Sequence, residues 1–239
     1  MKILPLVSLG LFSFISLGNA DVTIVQSVES SSGTYKVTLK IKADRARIEV
    51  DPKSSMIVDS KSGEVITLIH DQKAVLRLSG EKAKMFGKMT KAFEQDTDLS
   101  LKVVTPKSTG KKEKINGYEA DEYTAETPQY RATYWVAKTY PDWQTIMREM
   151  KLLQNKAFAA VRWERPEYYD FPGLPIRTKI KVQDQEEVTT TITSASSQAP
   201  IPDAEFAVPA GYSEIKLPEF QPNVPPPSPP LAPGEPGGQ

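Results

Sequence analysis

The chain has 239 residues, with 30 Lys and Arg against 30 Asp and Glu, a single histidine and no cysteine. Balanced charge provides no field for nucleic acid, and the lack of cysteine excludes disulfides, thiolate nucleophiles and thiolate metal centres. Hydrophobic residues at 39% and charged residues at 25% are ordinary for a globular protein, so apolar burial has to supply the stability.

The first twenty residues read as an export signal. Lys2 precedes an apolar run over 3–17, short for a bilayer span but suited to the apolar centre of a secretory leader. Gly18, Asn19 and Ala20 place small residues where a signal peptidase reads, and cleavage is expected after Ala20. Removing Lys2 leaves 30 less 1, or 29, basic residues against 30 acidic, a net charge of −1. The expected location is periplasmic or secreted. No acceptor cysteine for acylation exists, and no later stretch is apolar and long enough to span a membrane as a helix. The expected division is a signal peptide over 1–20, a folded domain over 21–217 and a proline-rich tail over 218–239.

Residues 22–29 and 35–42 read as paired strands joined at Ser30, Ser31, Ser32 and Gly33. In the second, Tyr35, Val37, Leu39 and Ile41 alternate with polar residues, the period of a half-buried strand. Ala46, Ile48 and Val50 continue the pattern until Asp51 and Pro52 stop it. Short strands over 56–59, 64–70 and 73–78 follow, and the brief turns predict a meander.

The period then changes. Over 81–95, Met85, Phe86, Met89, Ala92 and Phe93 share one helical face, while Lys82, Lys84, Lys88 and Lys91 lie mostly off it. Strands resume over 101–105 and 111–115, and Asn116-Gly117 marks a tight hairpin turn. Residues 118–126 and 130–138 read as the next strand pair. A second helix opens at Tyr140, Pro141, Asp142 and Trp143, with Pro141 suited to its first position and Asp142 to its positive end. Trp143, Ile146, Met147, Met150 and Leu153 form its apolar stripe. Strands over 176–182 and 188–194 follow a stiff loop, and 206–215 closes the domain. From Pro218 onward the chain favours extended polyproline and disorder.

Little in this pattern carries chemistry. His70 would have to serve any histidine-dependent unit, and it reads as a surface or satisfied side chain. Glu122 and Glu126 share one strand face and Glu119 and Asp121 the other, the mark of a solvated strand more than of an acid–base pair. No glycine-rich phosphate loop, calcium loop or zinc-ligand spacing is present, so no cofactor, metal or catalytic residue is assigned and the protein is not expected to be an enzyme. The distinctive feature is the pair of stripes, Met85, Phe86, Met89 and Phe93 with Trp143, Met147 and Met150. They suit a candidate apolar ligand cleft, if they do not simply fill a core.

Three stretches together carry a family resemblance. They are Lys114-Ile115-Asn116-Gly117-Tyr118-Glu119-Ala120, then Ala132-Thr133-Tyr134-Trp135-Val136-Ala137 followed by Tyr140-Pro141-Asp142-Trp143, and last Phe171-Pro172-Gly173-Leu174-Pro175. In this order the chain resembles the exported bacterial family DUF4412, a domain of unknown function similar in fold to the lipoprotein carriers LolA and LolB. The likeness covers about 22–215 and implies a mainly β (α+β) fold. The implied architecture is a curved, unclosed antiparallel half-barrel with two or three helices packed on its concave side. Because fold does not fix function, two readings follow. One is a non-enzymatic binding or carrier protein for a lipid or lipoprotein acyl chain. The other is a structural or interaction module that captures an envelope protein partner, with the tail as tether.

Overall fold

The computed structural model describes residues 20–79, 104–128, 130–155, 170–182 and 185–216, leaving aside the side chains of Asp51 and 152–155. Among these residues twelve strands form one sheet. They are β1 Val22–Ser30, β2 Gly33–Lys42, β3 Arg45–Asp51, β4 Ser54–Asp59, β5 Val65–Ile69, β6 Ala74–Leu78, β7 Lys107–Ile115, β8 Tyr118–Thr127, β9 Tyr130–Ala137, β10 Leu174–Val182, β11 Val188–Ser196 and β12 Ser213–Glu214. Their order is β12-β6-β5-β4-β3-β2-β1-β11-β10-β9-β8-β7. Two meanders, β1 to β6 and β7 to β11, are therefore fused where β1 pairs antiparallel with β11. The sheet is curved and open, with β7 and β12 as its outermost strands among the described residues.

Local sequence explains the registers. Ile24 faces Leu39 and Val22 faces Ile41 across β1 and β2, which brings their apolar sides together. Asn116 and Gly117 both take left-handed backbone, φ 50° and 88°, as a two-residue hairpin between β7 and β8 demands. Gly173 is required for another reason: a Cβ there would lie 2.5 Å from the Ala137 carbonyl oxygen, so only glycine lets β10 begin against the end of β9.

The main core gathers Val22, Ile24, Ile41, Ala46, Ala132, Val136, Leu174, Ile176 and Ile192 from one face of the sheet. Helix α1, Trp143–Asn155, packs Ile146 and Met147 into it. A second core lies on the other face of β4 to β6. Ile57, Ile66, Leu68 and Val75 are covered there by Ile201 and Phe206.

Several expectations need correction. Among the described residues there is one α-helix and not two or three; the helix expected over 81–95 lies outside them, as do the signal peptide over 1–19 and the tail from 217. Helix α1 starts at Trp143. Asp142, with φ 53°, stands outside it, and its carbonyl accepts the first helical bond from the Ile146 N–H at 3.0 Å. Its carboxylate binds Ser197 Oγ at 2.9 Å instead of sitting in the first turn. Val104 and Thr105 are not in a strand, and β7 reaches back to Lys107. The closing strand over 206–215 is a 3₁₀ turn at Asp203–Phe206 and a two-residue strand parallel to β6, because Phe206 is drawn into the second core. Tyr35 and Val50, assigned to buried faces, are 41% and 39% exposed at strand ends beyond the reach of the core.

Candidate functional site

Strands β4 to β6 carry apolar residues on both faces, and β3 on one. The register places Leu39, Ile48, Met56, Thr67 and Leu76 side by side in one cross-strand row. Ile41, Ala46, Val58, Val65 and Leu78 form the next. Both rows share the face of Val22 and Ile24, through the pairings of Leu39 and Ile41 with β1. Ile41, Ala46 and Val58 are buried, whereas Ile48, Met56, Val65, Leu76 and Leu78 are only partly covered. The core face thus runs on past its densely packed part into a half-covered apolar floor.

The reverse face of these strands is closed by the segment after β11. Ile201 and Phe206 fill it, and charge fastens the segment. Arg45 binds Asp203 at 2.7 Å and Lys40 binds Glu205 at 2.9 Å. The Lys42 and Arg45 hydrogen bonds hold the Asp203 carboxyl below its ordinary range. With that face filled and clamped, the floor on the other side is the available apolar surface of β3 to β6.

Helix α1 stands over the continuous face. Ile146 and Met147 are buried, and Trp143 and Met150 are half-buried against the core. These three candidate residues, Trp143, Met147 and Met150, lie on one side of α1 as the spacing predicts. The remaining four, Met85, Phe86, Met89 and Phe93, lie outside the described residues. The floor residues Ile48, Met56, Val65, Leu76 and Leu78 were not singled out by the sequence reading. The available signal was the near-continuous apolar character of residues 56–58, 65–69 and 74–76, which marks strands with two apolar faces.

Among the described residues, ionisable side chains such as Glu119, Asp121 and Glu126 are held in ion pairs. Glu119 binds Lys112 at 2.7 Å, Asp121 binds Lys138 at 2.7 Å and Glu126 binds Arg131 at 2.8 Å. His70 is a satisfied histidine, with Nδ1 2.6 Å from the Tyr212 hydroxyl and Nε2 3.0 Å from Ser55 Oγ. The Tyr140 hydroxyl accepts the Ala195 N–H at 2.8 Å, and burial pushes its pKa above the ordinary value. Among the described residues no group of three or more His, Cys, Asp or Glu stands close enough to hold a metal. Among the same residues no helix is long and apolar enough to cross a membrane.

One ionisable group breaks the pattern. Glu149 of α1 is 1% exposed, and its Oε2 has no hydrogen-bond partner. Its presence on the buried side was not anticipated, since a glutamate between Arg148 and Met150 reads as a solvent-facing helix residue.

Among the described residues, an open, mostly antiparallel sheet with one helix packed on its core face defines a β-rich protein class without fixing an activity. Within that class, a family model described as a domain of unknown function, DUF4412, matches residues 21–212, and the chain belongs to this family. No curated protein matches the chain. Among solved structures, PNGF-II is similar at 10% identity and TM-score 0.37, over 82% of this chain and 31% of its own. MucB is similar at 11% identity and TM-score 0.40, over 80% of this chain and 58% of its own. A DUF1329 family protein from Desulfovibrio piger ATCC 29098 is similar at 13% identity and TM-score 0.32, over 80% and 91%. The chain spans under a third of the length of PNGF-II, at 31%.

Proposed function

We propose that this is an exported, non-enzymatic binding protein of the cell envelope that takes an apolar ligand, a lipid or acyl chain, against the floor of β3 to β6 beside α1. The supporting observation is the two-faced apolar character of β4 to β6. One face is closed by Ile201 and Phe206, while Met56, Val65 and Leu76 on the other remain partly covered. Apolar rows that a protein neither buries fully nor replaces with polar residues mark a surface meant for a partner. Burying about ten methylenes contributes about 8 kcal/mol, which sets about 1 μM as the tightest affinity such contact alone can reach.

The test is titration of the full chain with an uncharged apolar dye, N-phenyl-1-naphthylamine. Saturable enhancement is expected, weakened about tenfold by Met56→Gln with Leu76→Gln at unchanged circular dichroism, since each change removes apolar contact at the floor. If native protein gives no enhancement at micromolar dye, the binding reading fails and an interaction module of the envelope takes its place.

A further inference from the structure

The buried side of α1 contains Trp143, Ile146, Met147, Glu149 and Met150, while Gln144, Arg148 and Lys151 face water. Four of the five are apolar, and the fifth is a carboxylate. Arg148 Nε donates to Glu149 Oε1 at 3.2 Å, but the Arg148 side chain is 62% exposed. Consecutive helix residues do not face each other, so Arg148 reaches Oε1 only from the solvent edge. Oε2 is left inside with nothing to accept from.

Such an atom is costly. A buried acceptor without a donor forfeits its hydration and receives nothing in return, and the loss is greater when the group carries charge. A leucine or alanine at this position would serve a packed helix face better. A buried acceptor without a partner is the complement of a donor that comes from outside the chain. Ile146, buried in the core, lies one turn before Glu149 on the same side of α1. A head group held at Glu149 would therefore lie beside Ile146, on the side of α1 that packs into the core.

We propose that Glu149 is the polar anchor of the apolar site, and that the ligand is an amphiphile whose head donates a hydrogen bond, an ammonium or a hydroxyl, and not a free carboxylate. This rests on the apolar-ligand reading above and narrows it. A donating head supplies the hydrogen bond that Oε2 lacks, whereas a carboxylate head offers no donor and sets a second carboxyl group against it.

Displacement of the uncharged dye from the full chain by dodecylammonium, dodecanol and dodecanoate decides the matter. The first two are expected to bind about tenfold or more tightly than dodecanoate, as a charge-assisted bond gained or lost implies. Glu149→Gln, whose amide both donates and accepts, is expected to bring the three within about threefold of one another. Glu149→Asp, which keeps the charge on a shorter stem, is expected to preserve the order with weaker binding, and it decides the matter if the glutamine variant does not fold. An unchanged order in Glu149→Gln, or dodecanoate binding as well as dodecanol to native protein, overturns the anchor and leaves the apolar site standing. Failure of native protein to bind the dye at all overturns the apolar site and the anchor together.

Discussion

The Tyr212 hydroxyl lies 2.6 Å from His70 Nδ1, which ties the segment after β11 to the turn between β5 and β6. The other ring nitrogen is 3.0 Å from the buried Ser55, so one imidazole bridges β4 and the residue just before β12. The segment also leans on two backbone bonds, from the Ser213 N–H to the Lys73 carbonyl and from the Ile215 N–H to the Val75 carbonyl, each 2.8 Å.

Tyr212→Phe leaves Nδ1 without its partner and is expected to cost about 1–2 kcal/mol. Amide hydrogen exchange checks the location of the effect: Ser213 and Ile215 are expected to exchange faster while β1 and β11 keep their protection. Equal acceleration across the sheet would show that the bridge is not local.

Gly173→Ala is expected to be among the most damaging single-methyl changes in the chain. The new Cβ would stand 2.5 Å from the Ala137 oxygen and 2.8 Å from the Lys138 Cα, both backbone atoms that cannot turn aside. Separating β9 from β10 at this point costs about 3 kcal/mol, near the upper end for overpacking. Chemical denaturation measures it; a loss below about 1 kcal/mol would mean that the strands part easily there.

Much of this architecture is legible in local sequence. The alternation of Val37, Leu39 and Ile41 and the Asn116-Gly117 turn depend on near neighbours, and the sheet follows them. The stripe of Trp143, Ile146, Met147 and Met150 is likewise visible from its helical period. What escapes is set by distant parts of the chain. Phe206 reads as a strand residue until Ile57, Ile66 and Leu68, about 140 residues earlier in sequence, draw it into their core. Asp142 looks like a residue of the first helical turn, yet Ser197 and Gln198 hold its carboxylate and the backbone takes φ 53°. Half of the candidate site follows the same division. The helix stripe shows in periodicity, but the floor depends on the register of four strands, and the burial of Glu149 on tertiary packing.

Acid sensitivity should be traceable to a named pair. The hydrogen bond from Lys138, 2.7 Å from Asp121, holds the Asp121 carboxyl below its ordinary value of 3.8 against the opposing effect of partial burial. A carboxyl whose pKa is lower in the folded chain binds fewer protons there. Its contribution is present above the unfolded value and disappears as pH falls through the folded one. Lys138→Met is therefore expected to lower stability near neutral pH by less than about 1 kcal/mol, the range for a pair near the surface. The gap to the native chain should narrow below about pH 4, because the unfolded carboxyl titrates there. Urea titrations at several pH values measure this, and a gap that stays constant into acid would exclude Asp121 as its source.

The apolar floor is tested most directly by photolabelling. A long-chain alcohol carrying a diazirine at its far end, irradiated with the native chain and mapped by mass spectrometry, is expected to insert at Ile48, Met56, Val65 or Leu76, on the half-covered face of β3 to β6. Excess unlabelled dodecanol should suppress that labelling. Label confined to the exposed edge strand β7, or scattered with no suppression by competitor, would contradict an apolar ligand site on this sheet.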